Sequence, residues 1–318
     1  MIIDCSGSLP TPEFLLADLR AMCGTGYLPL FGPGVARWVG LDADQAARLM
    51  ATDPDGFVVR CALAAHANGR DTVASYLAAM DEAGITAAVL HNFDEPGDPG
   101  GPAPVPNERV AELVAQHPGR LIGFAGISPL HGADAAVRAI DHAVLSLGLK
   151  GVGLRPFRLG LRADDSAYGP IYRRCAELGV PVWIHSSIHY DRRISLDFGR
   201  PIHLDAVAAA HPTLTIIAGH GGWPWADEMV AVALRQPNVV IDVSSVRPLH
   251  MPKPGSGWER VLHFGNNLLQ DQVVIGLDWL TVGYPPRQLL EEIRALPLRP
   301  AVLDKWLGGN AARLFQLR

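Results

Sequence analysis

Short apolar segments alternate with amphipathic segments from residue 85 almost to the end of the chain. The apolar segments are rich in Val, Ile and Leu and lack polar alternation, which is typical of parallel strands that are covered on both faces. With a further segment at the N-terminus they predict eight strands: Met1–Ile3, Ile85–Leu90, Leu121–Ile127, Gly151–Leu154, Val180–Ile184, Leu214–Ala218, Val239–Val243 and Val273–Leu277. The segments between them predict seven helices: Asn107–Gln116, Asp134–Ser146, Tyr168–Leu178, Leu204–Ala210, Trp225–Leu234, Trp258–Leu268 and Arg287–Ala295.

Repeated strand–helix units in a chain of 318 residues favour an α/β fold of the (β/α)8 TIM-barrel type. A doubly wound open sheet is the alternative, and it usually carries a glycine-rich phosphate turn directly after an early strand. The glycines at 24–26 and 32–34 do not follow a predicted strand in that way, so we interpret them as loop glycines. We therefore predict a single barrel domain over residues 1–318.

The region from about residue 10 to residue 70 does not follow the alternation. It contains Pro29, Pro33, Pro54 and several glycines, and it predicts one short helix near Ala43–Ala51. The simplest interpretation is a long insertion after strand 1 that caps the barrel mouth, because long loops at that face commonly cover the site.

Composition and charge restrict the class of protein. Hydrophobic residues make up 48% of the chain and charged residues 19%, which indicates a well-buried globular protein. The net charge is −5 and no long basic stretch is present, which argues against nucleic acid or an anionic membrane as a partner. The pattern predicts neither a signal peptide nor a membrane span, and the four scattered cysteines suit a reducing cytoplasm.

Polar or ionisable residues follow the predicted strands. In chain order they are Ser6 and Ser8, His91, Ser128, Arg155, His185, His220, Asp242 with Ser244, and Asp278. Because catalytic groups of such barrels lie at the C-terminal ends of the strands, this series predicts an active site at one face. Each residue also has a structural alternative: a core histidine for His185, a tight glycine-flanked turn for His220 and a helix cap for Asp278.

Five segments carry a resemblance to a known family. They are Gly123–Leu130 (GFAGISPL), Leu149–Pro156 (LKGVGLRP), Gly179–His185 (GVPVWIH), Ala218–Gly222 (AGHGG) and Trp306–Phe315 (WLGGNAARLF). In order and spacing they resemble the amidohydrolase-2 branch of the amidohydrolase superfamily, which contains aminocarboxymuconate-semialdehyde decarboxylase and related aromatic-acid decarboxylases. The resemblance implies a (β/α)8 barrel.

The resemblance also implies roles for individual residues. His185 matches the strand-five metal ligand, and His220 matches the strand-six histidine that activates water or moves a proton. Asp278 matches the strand-eight aspartate, which ligates metal and can act as a base. The strand-one His-x-His of the family falls on Ser6-Gly7-Ser8, and this is the clear departure from the family pattern.

The loss of that histidine pair changes the expected cofactor. A hydroxyl is a poor zinc ligand compared with imidazole, and a site left with His185 and Asp278 has two strong ligands where catalytic zinc takes three. Cys5 and His189 are possible substitutes. We therefore predict that no metal or other cofactor is used. A divalent metal such as Zn held by His185 and Asp278 is the alternative.

We accordingly predict a metal-independent enzyme that works by acid–base chemistry. Asp278 acts as the general base, His220 donates a proton, and His185 polarises the substrate. Ser6 and Ser8 form hydrogen bonds in the space that the family gives to a metal. The reactions that fit are hydrolysis of a lactone or activated ester, or a related lyase step.

Two further groups of residues suggest the substrate. Arg155 and Arg247 follow strands four and seven, and a guanidinium pairs well with a carboxylate. Trp223 and Trp225 follow strand six and favour a flat ligand. Both groups have packing or capping alternatives. Together they predict a small carboxylated cyclic or aromatic substrate.

Two other functions are kept open. One is a metal-dependent non-oxidative decarboxylase of the aminocarboxymuconate-semialdehyde decarboxylase type, and the other is a non-catalytic barrel that binds a ligand, because fold alone does not decide function. A homodimer is compatible with the resemblance, since many such barrels associate as dimers.

Overall fold

The computed structural model describes residues 1–8, 10–95 and 105–317. Eight parallel strands pair in chain order. They are β1 (Ile3–Gly7), β2 (Ala87–Leu90), β3 (Leu121–Gly126), β4 (Gly151–Leu154), β5 (Val182–His185), β6 (Ile216–Gly219), β7 (Val239–Val243) and β8 (Val273–Ile275). The predicted α/β TIM barrel is confirmed. The first strand is longer than the predicted Met1–Ile3 and includes Ser6, beyond an irregularity in its pairing with β2.

Four helices fill the region that was predicted as an insertion: α1 (Pro12–Met22), α2 (Tyr27–Val39), α3 (Ala43–Thr52) and α4 (Pro54–Ala67). The predicted short helix corresponds to α3, but the rest of the region is far more helical than its prolines suggest. Pro29 lies in the first turn of α2, where a backbone N–H would have no partner within the helix, so the proline is tolerated. Pro33 lies inside α2 all the same.

These four helices, which we call the roof, have a hydrophobic cluster of their own. Its buried members are Leu15, Leu19, Met22, Leu28, Val35, Ala36, Val39, Ala46, Phe57, Val58, Cys61 and Ala65. The roof contacts the barrel through α2. A Cβ on Gly283 would lie 2.2 Å from the Cα of Gly34, so these two backbones touch and neither position has room for a side chain.

The other helices surround the barrel: α5 (Val73–Ala83), α6 (Asn107–Gln116), α7 (Ala133–Asp141), α8 (Gly169–Leu178), α9 (His203–Ala210), α10 (Ala226–Arg235), α11 (Glu259–Gly265), α12 (Trp279–Val282), α13 (Pro286–Arg294), α14 (Pro300–Asp304) and α15 (Asn310–Leu314). The seven predicted helices correspond to α6–α11 and α13. A π-helical turn at His142–Ser146 follows α7, and α11 is shorter than predicted. Among the described helices, none has both the length and the apolar character that crossing a membrane requires.

Two apolar layers cover the strands. One cluster joins alternate strand residues to the surrounding helices. The other joins Ile3, Phe124, Trp183 and further strand residues to Ala311 of α15, and it fills the barrel interior. Strand residues therefore pack alternately against the outer helices and into the barrel interior. The polar residues that follow the strands lie at the C-terminal end of the barrel.

The buried carboxylate of Asp4 joins β1 to β8. Its Oδ1 accepts hydrogen bonds from the backbone N–H groups of Ser6 at 3.1 Å and Leu277 at 2.8 Å. The backbone N–H of Asp278 donates to the carbonyl of Ser6 at 3.0 Å. Gly276 makes this approach possible, because a Cβ there would lie 2.3 Å from the Cβ of Ser6. Burial raises the pKa of Asp4 to about 6.

We predict that Asp4→Ala destabilises the fold by about 2–5 kcal/mol, because two buried N–H groups lose their acceptor. Asp4→Asn keeps one side-chain oxygen at this position and should cost less. Urea unfolding followed by circular dichroism measures both variants. Equal losses of unfolding free energy in the two would show that the acceptor is not what Asp4 contributes.

Candidate active site

A cavity of about 890 Å³ lies at the C-terminal ends of the strands. Its walls include strand-end residues, namely Ser6, Ser8, His91, Arg155, His185, His220, Ser244 and Asp278. The roof contributes residues of α1 and α2, among them Phe14, Asp18, Tyr27, Phe31 and Arg37. The site is therefore built by the barrel below and the roof above.

A chain of hydrogen bonds holds His220. Its Nδ1 lies 2.8 Å from the hydroxyl oxygen of Ser244, and that hydroxyl donates to Oδ2 of Asp242 at 2.8 Å. The indole N–H of Trp183 donates to the same Oδ2 at 2.9 Å. Ser244 and Asp242 are buried, and His220 lines the cavity.

The direction of this chain fixes the tautomer of His220. The Ser244 hydroxyl uses its proton on Asp242, so its oxygen can only accept from His220. His220 then carries its proton on Nδ1, and Nε2, which has no hydrogen-bond partner among the described residues, presents a lone pair. Burial lowers the pKa of His220 to about 3, with smaller contributions from His91 and Arg155, so the ring is neutral.

Burial acts on Asp278 in the opposite direction from His220, because it favours the protonated form of a carboxyl. Burial raises its pKa to about 7, although hydrogen bonds from Ser245 and Thr281 oppose that shift. The Ser245 hydroxyl donates to Oδ2 of Asp278 at 2.5 Å. The cavity therefore holds a carboxyl that can donate a proton near neutral pH and a neutral imidazole that can accept a hydrogen bond.

Three of these residues have left-handed backbone conformations, with φ of 64° at His220, 53° at Ser245 and 44° at Asp278. Each follows one of the strands β6, β7 and β8. Such a conformation in a residue other than glycine costs about 1–3 kcal/mol, and it is common where side-chain direction serves function. The backbone strain is thus concentrated where the acid–base groups lie.

His185 is buried in a ring cluster. Its ring lies 5.0 Å from that of His220 and 4.5 Å from that of Phe157. Burial, then His220 and Arg155, lower its pKa well below the usual value. Nδ1 of His185 has no hydrogen-bond partner in the described part of the chain, and Nε2 is 3.4 Å from the hydroxyl of Ser187. This leaves His185 able to bind a ligand in its neutral form.

The two arginines that were predicted to bind substrate line the cavity but are already paired. Arg155 forms two parallel hydrogen bonds with Glu95, at 2.7 and 2.8 Å. Arg247 donates to Glu292 at 3.0 and 3.1 Å and to the hydroxyl of Tyr284 at 2.9 Å. Their charges are largely balanced by protein carboxylates, so neither is a free anion site.

The structure places the two predicted tryptophans differently. Trp223 lines the cavity, and its indole N–H donates to the carbonyl of Ser256 at 2.8 Å. Trp225 is not among the cavity-lining residues and occupies the N-cap position of α10. Ser128 also lies elsewhere, because its hydroxyl caps a 3-10 turn by accepting from Leu130. Position after a strand does not by itself place a side chain in the cavity.

The donor set fits a metal poorly. His185 and Asp278 line the cavity, but the two strand-one positions supply only the hydroxyls of Ser6 and Ser8. Nε2 of His189, one of the two possible substitute ligands with Cys5, lies 2.9 Å from the carbonyl of Ser195. Among residues 1–8, 10–95 and 105–317, no group of three or more His, Cys, Asp or Glu side chains is arranged to hold a metal ion.

Sequence reasoning missed several residues that the fold brings to this site. Asp242 appeared in the strand-end series without a role, and nothing in the sequence links it to Trp183, 59 positions away. Tyr27 and Arg37 of the roof were not predicted as site residues, because the region that contains them was interpreted as loop. Arg158 lies only three positions after Arg155, which was the one signal that could have found it.

We predict that Ser244→Ala moves the proton of His220 from Nδ1 toward Nε2, because Nδ1 loses its acceptor. Long-range 1H–15N NMR of histidine-labelled protein, with His220 assigned through His220→Gln, reports the tautomer. Ser245→Ala is the matched control, because Ser245 bonds Asp278 and leaves His220 untouched. A wild-type proton on Nε2 would contradict the assignment.

Comparison with known proteins places the chain in a family. Residues 102–317 match the amidohydrolase family, and this is more than half of the chain. One relative is 2-amino-3-carboxymuconate-6-semialdehyde decarboxylase of Dictyostelium discoideum, 25% identical over 239 residues. That alignment covers 66% of this chain and 65% of the relative, so the chain spans just under two thirds of the relative's length.

Two solved structures share the fold. An uncharacterised TIM-barrel protein from Bordetella bronchiseptica is 23% identical, with a TM-score of 0.72 and coverage of 99% of this chain and 98% of that one. A 5-carboxyvanillate decarboxylase from Novosphingobium aromaticivorans, complexed with manganese and 4-hydroxy-3-methoxy-5-nitrobenzoic acid, is 18% identical, with a TM-score of 0.63 and coverage of 100% and 96%. Because the family match covers more than half of the chain, the chain belongs to the amidohydrolase family, in its amidohydrolase-2 branch.

Proposed function

We propose that this protein is a non-oxidative decarboxylase of an aromatic or ring-opened carboxylic acid. The observation that carries the proposal is the pairing, in one cavity, of a carboxyl whose pKa is raised to about 7 with a neutral imidazole. The relatives support it, because the Dictyostelium protein and the Novosphingobium protein are both named decarboxylases. They favour this function over the predicted lactone or ester hydrolysis.

The reaction requires a proton at the carbon that carries the carboxylate. Protonated Asp278 can donate that proton, which interrupts the π system at this carbon. The bond to the carboxylate then breaks, CO2 leaves, and the electron pair of the broken bond restores the π system. Water returns a proton to Asp278, and the hydroxide that remains combines with CO2 to give bicarbonate. No oxidant or reductant is needed, and this step reverses the base role that the sequence suggested for Asp278.

His220 supports the step through its free Nε2. A hydroxyl beside the reacting carbon can donate a hydrogen bond to Nε2, which raises the electron density at that carbon while the ring stays neutral. The Ser244–Asp242 chain keeps Nε2 available by holding the ring proton on the other nitrogen. His185, Ser6 and Ser8 supply neutral hydrogen-bonding groups around the leaving carboxylate.

The manganese of the Novosphingobium enzyme favours the alternative, a divalent metal, over the predicted absence of a cofactor, whereas the residues of this chain point the other way. A divalent ion supplies a Lewis acid to a site that holds it. With hydroxyls at Ser6 and Ser8, this donor set offers two strong ligands, so no step of the proposed reaction uses a metal.

We predict that Asp278→Asn lowers turnover by about 10²–10⁴-fold, because the proton donor is lost. Asparagine is close in size and tolerates the left-handed backbone. CO2 release is measured with 5-carboxyvanillate and 2,6-dihydroxybenzoate, and wild-type kcat should fall as pH rises through about 7, as Asp278 loses its proton.

Asp227→Asn is the control for that variant, since Asp227 is an exposed residue of α10. Wild-type activity in Asp278→Asn would remove Asp278 from the mechanism. A wild-type enzyme that opens lactones and releases no CO2 would overturn the decarboxylase proposal in favour of hydrolysis. Binding of the acids with neither reaction would favour a non-catalytic barrel.

We predict that protein purified without chelators contains less than one equivalent of transition metal per chain, because two strong ligands hold zinc or manganese weakly. Inductively coupled plasma mass spectrometry measures this. A Ser6→His/Ser8→His variant restores the ligand types of the family and should gain metal under the same conditions. One Zn or Mn per wild-type chain would contradict the prediction.

A further inference from the structure

Arg158 is a cavity-lining arginine that the catalytic proposal does not use. It lies in the 3-10 turn after β4, and its side chain is 17% exposed. Its Nε is buried and has no hydrogen-bond partner among the described residues. A buried guanidinium donor without a partner costs free energy, so the position is suited to a ligand that supplies an acceptor.

The nearest protein carboxylate does not satisfy Arg158. Oε2 of Glu95 lies 3.9 Å from its Nε, which is beyond hydrogen-bond distance. Both oxygens of Glu95 are already used by the paired hydrogen bonds from Arg155. Glu95 therefore lies near both arginines, but its two oxygens accept hydrogen bonds from Arg155 and not from Arg158.

Other charged groups near Arg158 do not alter this picture. Asp18 of α1 also lines the cavity, and burial raises its pKa, with Arg155 and Arg158 opposing the shift. Asp191 is paired with Arg193 at 2.7 Å, which keeps its pKa near 2. Glu95 and Asp18 are the carboxyls that face Arg155 and Arg158, and the hydrogen bonds of Glu95 go to Arg155.

Aromatic rings form the walls around this guanidinium. Its central carbon lies 5.7 Å from the ring centre of Tyr27 and 5.6 Å from that of Phe157. Tyr27 packs in turn against Phe31 and Tyr190, at 6.0 and 5.3 Å between ring centres. The charged donor is thus set in an apolar wall shared by the roof and the loops after β4 and β5.

Arg158 is separated from the acid–base groups by two rings. Phe157 lies 5.6 Å from the guanidinium and 4.5 Å from the ring of His185, and His185 lies 5.0 Å from His220. A substrate whose reacting carbon is near His220 therefore presents a different part of its structure to Arg158.

We propose that Arg158 binds an anionic substituent of the substrate, remote from the reacting carbon, so that the substrate carries two acidic groups. The guanidinium offers a forked pair of donors that matches a carboxylate, and the surrounding rings accept a flat ligand. The inference rests on the proposed decarboxylation, because that proposal identifies the reacting carbon. Binding of the anionic group by Arg158 does not itself depend on turnover.

The test compares the binding of benzoate with that of isophthalate and terephthalate by isothermal titration calorimetry. In wild type, at least one dicarboxylate should bind about tenfold or more tightly than benzoate, as expected for a charge-assisted pair. Arg158→Gln should remove that preference while benzoate binding persists, which shows that the variant is folded. Arg158→Lys should keep part of the preference for a dicarboxylate, because lysine retains the positive charge but lacks the paired donors of the guanidinium.

Arg162→Gln is the matched control, since Arg162 lies on the same segment, is 49% exposed and pairs with Asp164. It should keep the wild-type preference. Equal binding of all three acids by wild type, or an unchanged preference in Arg158→Gln, would overturn the inference. If the preference for a dicarboxylate depends on Arg158 but no CO2 is released, the proposed role of Arg158 in binding is retained. That result would count against the decarboxylase proposal alone.

Discussion

The site depends on one constraint, the attachment of β8 to β1 through the side chain of Asp4. A carboxylate oxygen replaces part of the backbone ladder at this seam by accepting from Ser6 and Leu277. The next backbone N–H, that of Asp278, donates to the carbonyl of Ser6. The position of Asp278, the proposed proton donor, is therefore set by barrel closure itself, and Gly276 is required because no side chain fits between the two strands.

Burial then sets the charge state of the cavity. It holds the carboxyls Asp242 and Asp278 at pKa values of about 7, and it lowers the pKa of His220 to about 3 and that of His91 to about 4. At neutral pH the imidazoles are uncharged and the carboxyls are partly protonated, which reverses their usual roles in water. Protonation of a substrate carbon, the step proposed for Asp278, suits such a cavity.

The sequence predicted the barrel because buried parallel strands leave unbroken apolar runs, and it predicted His185, His220 and Asp278 as cavity residues because they directly follow those runs. It could not show pairings between distant positions. Arg155 meets Glu95 and Arg247 meets Glu292, separations of 60 and 45 residues that no local pattern encodes. The insertion over the barrel mouth was predicted, but most of its helices were not, because prolines in the first turn of a helix resemble loop prolines. The position of Trp225 was not predicted because the chain turns into α10 at that residue.

The separate hydrophobic cluster of the roof has an evolutionary consequence. Its helices pack mainly on one another and contact the segment after β8 through the glycines at 34 and 283. Mutations in α1 and α2 can therefore change the upper wall of the cavity, including the surroundings of Arg158, without disturbing the strands that hold the acid–base groups. The roof and the strand ends can therefore diverge at different rates, which makes the roof a region to vary when a different cavity shape is sought.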